Sequence, residues 1–109
     1  QRQMCIRDSL KFIFQRMFPN IKENARTQFI GVFLDLQLKA TNSEISTKPL
    51  DLRGLLAAMK IVETGLSPRK AVTMGVVNKT FDIFEKEIVE DIVKTRIPAD
   101  WTRDDVYER

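Results

Sequence analysis

Three cations stand where helical segments are expected to begin, and a cation at a helix front is either awkward or useful. In ISTKPLDLRGLLAAMKIVETGLSPRK, residues 45–70, Lys48 precedes Pro49, Arg53 opens an apolar run, and Arg69 follows Ser67-Pro68. A helix N-terminus carries partial positive charge, so a cation there is mildly destabilising unless an anion lies opposite. A guanidinium in that place suits a phosphate, since it offers two parallel N–H donors and stays charged at any working pH. Taken alone, the residue pattern of Arg53 favours a plainer role, its stem covering apolar surface. Arg69, by the same standard, is expected in solvent.

Other chemistries are excluded more firmly. The chain has no histidine, which removes the commonest general base and metal ligand. One cysteine, Cys5, cannot form an internal disulfide, and alone it makes no zinc site. Cysteine usage of this kind fits a reducing, cytoplasmic compartment. Neither a GxxxxGK[ST] loop, a GxGxxG turn nor a HExxH pair occurs. Glu85, Glu87, Glu90 and Asp91 recur as on a solvated helix face rather than as a catalytic pair. No catalytic or metal site is complete in these residues.

Charge and hydropathy narrow the partners. A net charge of +3 and a pI near 9.2 permit nucleic-acid binding, but the signs are mixed along the whole length. Ala71 and Gly75 have helix-turn-helix spacing, a small residue and then a glycine turn. The helix that would enter the groove, FDIFEKEIVEDIVK, carries Asp82, Glu85, Glu87, Glu90 and Asp91. Five carboxylates meet phosphates with repulsion, so ordinary helix packing is expected of that motif. No apolar run reaches the length of a membrane span.

These side chains must be positioned by helices. At 109 residues one domain is expected, and the spacing predicts an all-α fold, a small bundle of about five helices. The opening QRQMCIRDS, residues 1–9, resembles translated sequencing-adapter read-through and is set aside from the fold, leaving residues 10–109 as the domain. Leu10, Ile13, Phe14, Met17 and Phe18 predict a first helix stopped by Pro19. Asn20 with Glu23 predicts a capping box for a second, whose stripe is Ile21, Ala25, Phe29, Val32, Phe33, Leu36 and Ala40. Lys39 to Thr47 reads as a polar loop.

A third helix is expected from about Asp51, burying Leu52, Leu55, Leu56, Met59 and Val62 and ending at Gly65. Ser67-Pro68 starts a short fourth helix that stops at Gly75. Asp82 with Glu85 caps a fifth, with Ile83, Phe84, Ile88, Val89, Ile92 and Val93 on one face and an end before Pro98. Thr102 caps a last turn through Val106.

Two stretches carry a family resemblance. An arginine opening a helix that a glycine ends twelve positions later, here Arg53 to Gly65, resembles the C-terminal lid of MoxR-class AAA+ ATPases of the NorQ/CbbQ type. The segment GLSPRKAVTMGVVNKTFDIFEKEIVEDIVKTRIP also looks like the tail of that group. The likeness covers nearly all of residues 10–109 and is most specific from Leu50 to Pro98.

The resemblance implies a lid-like helical bundle in which Arg53 is the sensor-2 residue, reaching the γ-phosphate of ATP on a neighbouring α/β core. Ser46-Thr47-Lys48 resembles the family's Ser-Thr-Arg triplet but stands five residues early, so Lys48 competes for that role. Arg69 is a weaker candidate for touching nucleotide or a neighbouring subunit, and Asp51 either orients the guanidinium or caps the helix.

Kinship further implies ATP and Mg²⁺ in the parent protein, with the Mg²⁺ ligands on the core, and a ring of subunits, commonly a hexamer. It implies a von Willebrand factor A-domain partner and the remodelling or activation of a client protein. The parent would be an ATPase, and these residues alone would not be catalytic. A free-standing helical interaction module is the alternative, ahead of a helix-turn-helix DNA binder.

Overall fold

Apolar residues three and four apart bury one stripe of most of the helices, and that repeat builds the molecule. The computed structural model describes residues 6–45, 52–80 and 82–108. Among them are six α-helices: α1 Ile6–Met17, α2 Glu23–Thr41, α3 Leu52–Glu63, α4 Pro68–Gly75, α5 Ile83–Arg96 and α6 Arg103–Val106, with a 3₁₀ turn at Val77–Lys79. The all-α bundle expected from the spacing is therefore what forms. The sole extended pairing among the described residues is an antiparallel bridge between Ile21 and Tyr107.

The central element is α2, which buries Ala25, Phe29, Ile30, Gly31, Val32 and Leu36. It packs against α1, α5 and α6. Around it Phe14, Phe18, Leu55, Met59, Ile97 and Tyr107 fill one continuous core. Each fully buried side chain of that size contributes about 1.5–3 kcal/mol of transfer free energy.

Small residues let two helices approach closely. A Cβ on Gly75 would stand 2.8 Å from the Gly54 carbonyl oxygen and 3.2 Å from the Ala58 Cβ. So Ala71 and Gly75 serve the packing of α4 on α3, with Ala71 fully buried. Between these helices Gly65 takes φ +125°, a conformation open to glycine and strained for other residues, as its place at the end of α3 predicts.

Caps follow the sequence in part. The Asp82 carboxylate accepts from the Phe84 and Glu85 amides at 2.8 and 3.1 Å. Asp105 accepts from the Thr102 amide at 2.8 Å. Ser67 precedes Pro68 at the N-cap of α4, without a side-chain cap bond.

Four expectations need correction. First, α2 begins at Glu23 with Lys22 at its N-cap, and no Asn20 box forms. The C-terminal segment takes that backbone instead: the Glu108 amide donates to the Asn20 carbonyl at 2.8 Å, and the Lys22 amide to Val106 at 2.7 Å. Ile21 thus lies in the bridge, outside the helix.

Second, Lys39–Thr41 continue α2 rather than opening the loop, which starts where Ser43 turns to φ 62°. Residues 46 and 47 of that loop lie outside the described residues. Third, Ile83 and Phe84 do not join the buried face of α5. They are 74% and 76% exposed, because the stripe that meets α2 runs through Val89, Ile92 and Val93. Fourth, Met17 of the α1 stripe is exposed. In addition, Ile6–Ser9, within the segment set aside, are helical and continuous with Leu10.

Candidate phosphate-facing end of the bundle

Helix directions decide which side chains share an end. Gly54 near the start of α3 meets Gly75 at the close of α4, so these helices run antiparallel through the Gly65 turn. At the other end of α4, the Arg69 Nε donates to the Ile97 carbonyl, the C-cap of α5, at 2.8 Å. Thus α5 starts where α4 finishes. The pairing of Asp35 with Arg96, and the shared groove of Leu38 and Lys39 with Ile88 and Asp91, set α2 antiparallel to α5. One end of the bundle therefore gathers the starts of α3 and α5 and the finishes of α2 and α4.

Arg53 is on that end. It lies in the first turn of α3, one residue before the Gly54 contact, and its side chain is exposed. The partial positive charge of the α3 N-terminus reinforces the guanidinium toward an anion. Met74, at 57% exposure, and Ile83 share the same end. The exposed Met74 and Ile83 side chains leave apolar area uncovered at that end.

The other two candidates separate. Arg69 is half-buried and spends its Nε on a helix-terminal carbonyl, where a cation is favourable to the dipole. Gly75 stands six positions further along α4, about 9 Å along the helix axis. The fold does not bring it to Arg53. Lys48 and Asp51 lie outside the described residues.

Two polar anchors escaped the sequence. Arg96 donates to both oxygens of Asp35 at 2.9 and 3.3 Å, and its guanidinium lies where a Cβ on Gly31 would intrude to 2.6 Å. The hydrogen-bonded Asp35 carboxylate raises the Arg96 pKa above its ordinary value, against partial desolvation. The signal was a glycine and an aspartate one turn apart on the central helix.

The buried Tyr107 hydroxyl donates to the Met59 carbonyl at 2.8 Å, and burial raises its pKa, helped by Glu63 and opposed by Arg103. Nothing local marked Tyr107 as a core residue.

Among the described residues no group of three or more His, Cys, Asp or Glu side chains gathers to hold a metal ion. No helix among them is long and apolar enough to cross a membrane. What this end offers among the described residues is an exposed arginine at the start of a helix. Comparison with family models, with curated proteins and with solved structures gives no match.

Proposed function

We propose that this chain is the helical lid of a cytoplasmic MoxR-type AAA+ ATPase and that Arg53 is its sensor-2 residue. The observation that supports the reading is placement. An exposed arginine sits in the first turn of α3, at the end of the bundle where Met74 and Ile83 also remain uncovered. An α/β core from the rest of the polypeptide would cover those apolar side chains and bring the terminal phosphate of ATP to the guanidinium. Bound Mg²⁺·ATP would supply the transferable phosphoryl group, with the metal's ligands on the core. Arg53 would hold the γ-phosphate oxygens, and losing that charge-assisted contact would let the lid's angle follow the nucleotide state.

In this reading the subunits form a ring, commonly a hexamer, that remodels or activates a client, with a von Willebrand factor A-domain protein as partner. The first check is the reading frame upstream of Leu10, which should contain a GxxxxGK[ST] loop. In the protein carrying that loop, Arg53→Ala should lower ATP turnover by roughly 10- to 100-fold, as for loss of one hydrogen bond to a charged group. Nucleotide affinity should change far less. Equal turnover in variant and parent would overturn the assignment.

A further inference from the structure

Residues 98–108 hold to the bundle chiefly by their far end. Pro98, Ala99 and Asp100 form an exposed turn after α5, and of the residues that follow, up to Glu108, only Val106 and Tyr107 are buried. Those two fit a slot between the α1–α2 connection and α3. The Val106 carbonyl accepts from the Lys22 amide at 2.7 Å, and the Glu108 amide donates to the Asn20 carbonyl at 2.8 Å. The Tyr107 ring lies 6.0 Å from that of Phe18, and its hydroxyl reaches the Met59 carbonyl. Arg103 adds one exposed bond, from its Nε to the Glu63 carbonyl at 3.1 Å.

The longer helices hold one another without this segment. α1 packs on α2, α2 on α5, α5 on α4 and α4 on α3, an unbroken series that does not pass through residues 98–108. The segment sits on that frame as a strand is added to an exposed edge: backbone bonds give the grip, and a side-chain pocket gives the selectivity.

We propose that residues 98–108 are a releasable strap, which swings out about the Pro98–Asp100 turn while α1–α5 stay folded, and that the slot it leaves takes an extended peptide with an aliphatic residue followed by a tyrosine. The edge at residues 20–22 offers a carbonyl and an amide, which any extended backbone can pair. The floor is more selective. It presents the Phe18 ring and a carbonyl of α3, so it asks for an aromatic ring that ends in a hydroxyl donor.

Hydrogen exchange on the parent chain tests release. The Lys22 and Glu108 amides should exchange together, through an opening that costs less than global unfolding and depends weakly on urea. Core amides of α2 and α5 should wait for global unfolding. Tyr107→Phe should speed the Lys22 and Glu108 amides roughly fivefold, the weight of one hydrogen bond. A labelled peptide of residues 99–108 tests the slot. The parent should bind it weakly, because its own strap competes at an effective concentration on the order of millimolar. Tyr107→Ala, whose strap no longer fits, should stay helical and bind the peptide roughly tenfold more tightly or better. The peptide carrying the same substitution should not bind. Lys22 and Glu108 amides that exchange only with the whole molecule would overturn the proposal. So would a Tyr107→Ala chain that loses its helical circular dichroism, or one that ignores the peptide. None of these outcomes bears on Arg53, whose test is ATP turnover.

Discussion

The Tyr107 hydroxyl donates to the Met59 carbonyl at 2.8 Å, tying the end of the described chain to the middle of α3. The same residue bridges to Ile21 and packs its ring 6.0 Å from that of Phe18. One side chain thus joins α3 to the connection between α1 and α2, elements remote from one another in sequence.

Tyr107→Phe should cost about 1 kcal/mol, one buried hydrogen bond, measured by urea unfolding at neutral pH. Burial raises the folded-state pKa of the phenol above its ordinary value of 10.0. The unfolded phenol ionises first, so the tyrosine's contribution is complete below about pH 10 and is lost as pH rises from there toward the folded-state pKa. The slope approaches about 1.4 kcal/mol per pH unit. Stability of the parent should fall more steeply than that of Tyr107→Phe above pH 10. Parallel curves would remove the phenol from the explanation.

Gly75→Ala should destabilise by about 1–3 kcal/mol, because its new Cβ meets the Gly54 carbonyl at 2.8 Å and backbone cannot step aside. A melting-point drop of roughly 5–15 °C is expected for a chain of this length. Adding Ala58→Gly should not restore it, since that removes the 3.2 Å neighbour and leaves the carbonyl in place. Recovery in the double variant would mean that the helices slide rather than clash.

Arg69→Ala and Arg53→Ala should divide stability from function. Arg69 holds the Ile97 carbonyl at 2.8 Å from a half-buried position, so its loss should cost about 1–2 kcal/mol. Arg53 is exposed, and its replacement should cost under about 1 kcal/mol. Denaturant midpoints for the two variants give the comparison, and a larger loss for Arg53 would mark it as structural.

Local chemistry carried a good part of this protein. Threes-and-fours spacing located the long helices; Gly65 marked the close of α3 by the backbone conformation it takes; Asp82 and Thr102 announced their caps. These depend on residues within a turn of one another, and the chain alone specifies them. Arg53 was likewise visible as an arginine at a helix front.

Tertiary structure decided the rest, where a distant partner competes for the same group. The Asn20 cap gave way because the C-terminal segment offered Ile21 and its neighbours backbone pairing. Ile83 and Phe84 are as apolar as Ile92, yet only the stripe facing α2 is covered, and which stripe faces α2 depends on docking angle. Arg69 was separated from Arg53 by the direction of α4, a relation set by how Gly54 meets Gly75. Helix formation is short-range and legible in composition, whereas burial and proximity are properties of packed surfaces that no single segment contains.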